Sequence, residues 1–108
     1  MSFYDSNERQ PKEIIAGINA RTFWGNKMTV ALVTFEAHAV LPPHSHSHEQ
    51  AGYVLEGEIE FTISEQTQVL RPGDVYIIPG NAEHSVIVGE LPTRLFECFV
   101  PVREDLKY

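Results

Sequence analysis

Four of the five histidines of this 108-residue chain are concentrated at two places. Three of them alternate with serine, and the fourth is His84, which must reach them from a distant strand. In extended backbone, side chains two residues apart point the same way, whereas residues four apart are separated by roughly 13 Å. Either His44 with His46 or His46 with His48 can therefore direct two imidazoles at one point. Gln50 lies an even number of residues from His44 and His46, so its side chain points the same way in extended backbone. Its side-chain carbonyl can therefore add an oxygen to a site for one divalent metal ion.

Glycines and a proline lie at regular distances from these side chains. Gln50 lies seven residues before Gly57, and Gly73 lies six residues before Pro79, which precedes His84 by five. These spacings resemble the two motifs of the cupin superfamily, His-x-His-x3-4-Glu/Gln-x6-Gly and Gly-x5-Pro-x-Gly-x2-His. The first motif matches in full, and the second matches at its first glycine, its proline and its histidine.

The resemblance implies an all-β fold, a cupin-type double-stranded β-helix, or jelly-roll barrel, with one divalent transition metal ion. The second motif has Asn81 where glycine is usual, and asparagine tolerates the left-handed backbone conformation. We expect His48 beside the site or in solvent, and His38 as an ordinary strand histidine. By the resemblance, the metal ligands are His44, His46, Gln50 and His84.

A glutamine in place of the more usual glutamate changes the expected metal chemistry. Because Gln50 is neutral, the metal complex is about one charge unit more positive, which favours Lewis-acid chemistry. Three imidazoles and an amide oxygen suit Zn, Ni, Cu or Fe(II), and the missing carboxylate makes Fe(III) harder to stabilise.

The elements that must position these residues are short strands. From Met28 onward, β-branched and aromatic runs recur about every eight to twelve residues with turn residues between them. Residues 59–63 alternate strictly between apolar and polar, and 71–74 carry the Pro and Gly of a type II turn. We expect one domain over residues 1–108, with an N-terminal arm at 1–12 and a barrel core at about 28–101. Pairing of two copies would cover exposed strand edges, so a homodimer is predicted.

The composition excludes several classes of partner. Eight Lys and Arg residues are opposed by fifteen Asp and Glu, and the net charge is −7. Nucleic acid and anionic membranes are therefore poor partners. The only cysteine, Cys98, excludes an internal disulfide, and the first fifteen residues carry Asp5, Glu8 and Glu13 where a signal peptide would need an apolar stretch. We expect a cytoplasmic protein without a membrane-spanning segment.

The last predicted strand and the residues after it carry further reactive groups. Glu97 shares one face with Leu95 and Phe99, and Cys98 lies on the other face. If the first face points inward, Glu97 can donate or accept a proton beside the metal. If it points outward, Glu97 is solvated. Cys98 has no activating neighbour, so we expect it to be a small core residue. Arg103 can clamp a substrate carboxylate or pair with an acidic neighbour on the surface.

A narrower resemblance covers about residues 28–105. The segments 44–50, 54–58, 71–75 and 96–105 are similar to those of the pectin-degradation cupins, which promote ketonisation of 4,5-unsaturated uronates released from pectin or alginate. In that family an acidic residue, a phenylalanine and an arginine act around the metal. Here the matching catalytic residues are Glu97, Phe99 and Arg103, although the family's acid is usually aspartate.

Three functions follow from these features. The first is a metal-dependent isomerase-type enzyme acting on a small anionic sugar acid, for which the resemblance supplies the substrate class. The second is a mononuclear iron or copper dioxygenase, which the three-histidine site favours and Gln50 weakens. The third is a non-catalytic module that binds a sugar acid or a metal ion.

Overall fold

A computed structural model describes residues 2–108 of the chain, and the regular secondary structure in this range is almost entirely β-strand. Two short 3-10 turns lie at Ser6–Glu8 and Glu104–Leu106. No helix within residues 2–108 is long and apolar enough to cross a membrane. The strands are β1 (Lys12–Ile15), β2 (Ile18–Trp24), β3 (Thr29–Phe35), β4 (Val40–His44), β5 (Glu49–Glu56), β6 (Ile59–Ile63), β7 (Gln66–Leu70), β8 (Val75–Ile78), β9 (His84–Val88) and β10 (Thr93–Val100).

The strands form two antiparallel sheets that enclose one core. A six-stranded sheet has the order β1-β2-β3-β10-β5-β8, and a four-stranded sheet has the order β4-β9-β6-β7. Buried and exposed residues alternate along β3 and β10, as expected when one face of a sheet packs inward. Val54, Ile78 and Leu95 of the large sheet are fully buried together with Ile59 of the small one. The predicted all-β jelly-roll fold is confirmed.

The turns follow the glycine and asparagine positions of the sequence. Gly73 has a φ of +98°, and the amide of Asp74 donates to the carbonyl of Arg71 at 3.0 Å, as a type II turn requires. Asn81 has a φ of 68°, so it adopts the left-handed conformation expected at the motif's glycine position. The prediction for His38 was wrong. It lies in the exposed turn between β3 and β4 with a φ of 64°, and its amide donates to Gly89.

Two strands precede Met28, where the sequence pattern had placed the first one. β1 and β2 form a hairpin around Gly17, whose φ is +83°. In β2 the inward positions include the small Ala20 and the polar Thr22, whereas the large Phe23 points away from the core. The apolar alternation that reveals a strand is therefore weak in this segment.

The N-terminal arm packs against the C-terminal end of its own chain. The Arg9 guanidinium lies 5.0 Å from the Phe23 ring centroid, 5.3 Å from that of Trp24 and 5.4 Å from that of Tyr108. Arg9 Nη1 also donates to the backbone carbonyl of Tyr108 at 2.9 Å. These contacts hold both ends of the chain against β2.

Candidate metal centre

Three histidines converge at the end of the four-stranded sheet. His44 is the last residue of β4, His84 is the first of β9, and the two are direct partners across the antiparallel pair. His46 lies in the loop between β4 and β5. One ligand atom from each of the three rings lies within 4.8 Å of the others. The cluster therefore contains His44 with His46, and His48 is not part of it.

Backbone carbonyls fix the orientation of all three rings. Each Nδ1 faces a carbonyl oxygen two residues away, at 2.9 Å for His44, 3.0 Å for His46 and 2.9 Å for His84. A carbonyl can only accept, so in each neutral ring the proton resides on Nδ1 and the lone pair on Nε2 is available. The accepting carbonyls belong to Pro42, His48 and Ala82.

The Nε2 atoms of His46 and His84 present lone pairs that no hydrogen-bond donor of the described residues satisfies. His84 Nε2 is buried and has no hydrogen-bond partner among residues 2–108, and His46 Nε2 lies 3.1 Å from Gln50 Oε1, which is another acceptor. Burial lowers the pKa of His46 and lowers the pKa of His84 to about 4, so both rings are neutral at neutral pH. The Nε2 atoms of the neutral imidazoles and the amide oxygen of Gln50 all present lone pairs and carry no proton. Such a set of atoms fits a divalent metal ion.

A chain of hydrogen bonds lies behind Gln50. Its Nε2 donates to Glu97 Oε2 at 2.6 Å, and the Tyr76 hydroxyl donates to the same oxygen at 2.5 Å. Burial raises the pKa of Glu97, and the hydrogen bonds from Tyr76 and Gln50 oppose that shift. Burial also raises the pKa of Tyr76 well above its ordinary value, so the hydroxyl keeps its proton and acts as the donor. Sequence reasoning did not identify Tyr76.

A cavity of about 190 Å³ adjoins the histidines. Its wall is mainly apolar, and the side chains in it that can bind a polar ligand are His44, Gln50, His84, Glu97, Arg103 and Asp105. Because Glu97 is only 7% exposed and lines this cavity, the inward-facing alternative for β10 is the one the structure contains.

Arg103 lies at the cavity and is also paired. Its Nη2 is 2.6 Å from Asp105 Oδ2, and its Nε donates to Asp105 Oδ1 at 3.1 Å. The hydrogen bonds from Arg103 hold the pKa of Asp105 below its ordinary value. The guanidinium also lies 5.0 Å from the ring centroid of Phe99, which is buried in the same wall. Arg103 therefore lines the cavity and at the same time pairs with an acidic neighbour, so the structure combines the two arrangements that the sequence left open.

Two other side chains stand apart from the cluster. Cys98 is half-buried on the outer face of β10, so its prediction as a core residue was wrong, because the strand turns Glu97 inward instead. His48 is half-buried, and its Nδ1 has no hydrogen-bond partner among the residues that the structure describes.

The fold and the site define a class of protein. The family model of the cupin domain matches residues 31–99, and the chain belongs to the cupin family. Over 105 residues it is 30% identical to the pectin degradation protein KdgF of Dickeya dadantii (strain 3937), which covers 95% of this chain and 96% of that protein. The resemblance to the pectin-degradation cupins is thus confirmed.

Solved structures give the same result. The structure of KdgF from Halomonas sp. matches with a TM-score of 0.91 and 28% identity, over 99% of both chains. An RmlC-like cupin from Shewanella frigidimarina NCIMB 400 has a TM-score of 0.93 and 24% identity, over 99% of this chain and 96% of that one. The second match concerns the fold alone.

Proposed function

We propose that this cupin is a metal-dependent enzyme that promotes ketonisation of 4,5-unsaturated uronates derived from pectin or alginate. The observation that carries the proposal is that one cavity is lined by His84, whose Nε2 has no hydrogen-bond partner among the described residues, by the buried carboxyl group of Glu97 and by the guanidinium of Arg103. The similarity to KdgF, whose name assigns it to pectin degradation, supports the choice of substrate class.

The metal ion would be held by His44, His46, Gln50 and His84, and it would supply Lewis-acid polarisation of a substrate oxygen. The chain's own residues bind and orient the sugar acid. Arg103 offers its guanidinium to the substrate carboxylate, because a planar guanidinium matches a carboxylate in geometry and charge. Phe99 lies beneath that guanidinium and keeps this part of the cavity apolar.

Ketonisation adds a proton to carbon and removes one from oxygen, so the site needs a group that can carry a proton. Glu97 has one oxygen, Oε2, occupied by two donated hydrogen bonds. Its other oxygen, Oε1, accepts no hydrogen bond from the residues that the structure describes and is the atom we assign to proton transfer. The raised pKa of Glu97 brings its proton affinity closer to neutral pH, which suits general acid–base work.

The test is to load the purified protein with Zn, Ni, Fe(II) or Cu and to follow the ultraviolet absorbance of freshly generated unsaturated galacturonate or mannuronate. Accelerated loss of the chromophore is expected, with a reduction of about 100-fold or more in Glu97→Gln, since general acid–base catalysis contributes at least that much. Arg103→Ala should raise KM. Arg94→Ala is the matched control, because Arg94 lies on β10 with Glu97 but pairs with Glu56 on the surface, away from the cavity.

Stoichiometric metal binding without any acceleration would contradict the uronate assignment. Oxygen consumption by the iron- or copper-loaded protein would then favour a mononuclear dioxygenase. Binding of a sugar acid without turnover would favour a non-catalytic module.

We also propose a cytoplasmic homodimer, formed through the outer face of the six-stranded sheet. Two rows of apolar side chains, here called rungs, run across this face at right angles to the strands. Each rung has one side chain from each of the four adjacent strands β3, β10, β5 and β8. Four of these side chains are 40% to 63% exposed in the single chain, a large apolar area for a monomer surface. A second copy could cover them through a two-fold symmetric contact. The rungs are Leu32, Phe96, Tyr53 and Val75, and Val30, Cys98, Ala51 and Ile77.

A further inference from the structure

Tyr76 is a buried tyrosine whose ring occupies the space that a side chain at Gly52 would fill. It lies on β8, and its hydroxyl reaches Glu97 on β10 across the intervening strand β5. The residue of β5 opposite Tyr76 is Gly52. A Cβ added at Gly52 would lie 1.9 Å from Tyr76 Cζ, so only glycine at this position lets the ring cross β5.

The carboxyl group that Tyr76 holds determines which end of the Gln50 amide faces the histidines. Glu97 Oε2 receives the Tyr76 hydroxyl and also the Gln50 Nε2 hydrogen. With its NH2 group engaged there, Gln50 turns Oε1 toward His46 Nε2 at 3.1 Å. An amide oxygen can bind a cation, whereas an amide NH2 group cannot, so this orientation decides whether Gln50 is a ligand.

We propose that Tyr76 is a positioning residue of the metal centre: it anchors Glu97, and Glu97 in turn holds the Gln50 amide with its oxygen toward the metal. This inference rests on the proposed function only in taking Gln50 as a ligand. The buried carboxyl group behind the amide also polarises it, which returns electron density to an otherwise neutral ligand.

Loss of the Tyr76 hydroxyl leaves Glu97 free to rotate toward the cavity and removes the acceptor that fixes the amide. Gln50 then spends part of its time with NH2 toward the histidines and contributes less to binding. Partners behind a ligand typically change metal affinity by about 10- to 100-fold when removed. We expect Tyr76→Phe to weaken metal binding by about 10-fold.

The experiment is titration of the metal-free protein with Co²⁺, followed by calorimetry and by the visible absorption of the bound ion. Tyr76→Phe should raise the dissociation constant and change the absorption bands, because both depend on the oxygen ligand. Tyr53→Phe is the matched control, since this tyrosine lies on the outer face of β5, away from the site. It should bind Co²⁺ as the wild-type protein does.

A second pair of variants tests whether the effect passes through Gln50. In the Gln50→Ala background, adding Tyr76→Phe should cause no further loss of affinity, because there is no amide left to orient. The same 10-fold loss in that background, or an unchanged dissociation constant in Tyr76→Phe alone, would overturn the inference. Failure of the wild-type protein to bind Co²⁺ would overturn both this inference and the metal centre. Co²⁺ binding without ketonisation would reject only the uronate substrate.

Discussion

Each histidine of the cluster has one ring nitrogen hydrogen-bonded to a backbone carbonyl and the other directed at its neighbours. This arrangement follows from sequence separation, since each carbonyl lies two residues from its histidine. His48 provides such a carbonyl to His46 through its backbone, whereas its own ring is not part of the cluster. The His-Ser-His-Ser-His tract therefore contributes two imidazole rings to the cluster and, from its third histidine, one backbone carbonyl.

This difference predicts opposite results for two alanine variants. His84→Ala removes a buried nitrogen that has no hydrogen-bond partner within the described part of the chain. It should weaken metal binding by about 100-fold or more, since loss of a group that only supports a ligand already costs about 10- to 100-fold. His48→Ala keeps the backbone carbonyl and should retain binding within a few-fold. Metal content after dialysis, together with calorimetric titration, measures both. Loss of binding in His48→Ala would show that the 46/48 pair holds the ion.

The low pKa of His84 predicts a pH-dependent stability of the metal-free protein. Its pKa falls from 6.5 to about 4, first because of burial. The hydrogen bond to the Ala82 carbonyl opposes this shift, and electrostatic interactions with His44, His46 and Arg103 add to it. The unfolded chain then binds the proton more tightly than the folded one, so stability is full above about pH 6.5 and falls as the pH approaches 4, by at most about 3 kcal/mol. Glu97, whose pKa is raised, contributes in the opposite direction.

Urea unfolding of the chelator-treated protein at several pH values between 7 and 4.5 measures this effect. The free energy of unfolding should decrease as the pH falls, and the decrease should be smaller in His84→Leu, which has no proton to bind at this position. Equal slopes for the two proteins would assign the pH dependence to other groups.

The strands that carry the site were predictable to different extents. β6 and β8 follow from strict alternation and turn residues, and the register of β4 with β9 brings together two histidines forty residues apart in the chain. Tyr76 was not predictable, because its partner Glu97 is on a strand that does not pair with β8 and the contact depends on a glycine between them. The spacing of residues in the sequence predicts which side chains share a face of one strand. The contact between Tyr76 and Glu97 depends instead on the arrangement of three strands, β8, β5 and β10.

The packing of Tyr76 against β5 gives a prediction for this element. Gly52→Ala introduces a methyl group into the space of the Tyr76 ring, and overpacking of this kind costs about 1 to 3 kcal/mol. Gly25→Ala is the control, because nothing lies within 4 Å of a Cβ there. Denaturant unfolding should show a lower midpoint for Gly52→Ala only. Equal midpoints would mean that the ring can move aside without loss.

For the whole molecule, association through the outer face of the large sheet gives a direct test. Phe96→Lys places a charge in the centre of the first rung and should shift the protein toward the monomer in sedimentation experiments at micromolar concentration. Val69→Lys is the control, since Val69 is similarly exposed on β7 of the other sheet. A monomeric wild-type protein, or a dimer unaffected by Phe96→Lys, would rule out this interface.

The pair formed by Arg103 and Asp105 has a consequence for ligand selection. The guanidinium already holds a carboxylate of its own chain through two hydrogen bonds, of 2.6 and 3.1 Å. An incoming acid would therefore exchange one carboxylate for another at this position and gain less from that contact than it would from an unpaired guanidinium. Asp105 acts as a tethered competitor, present at a fixed effective concentration that free acids must exceed. We therefore expect simple carboxylates such as acetate to bind weakly at Arg103, and we expect a ligand that also reaches the histidine cluster to gain the additional binding energy needed to displace Asp105.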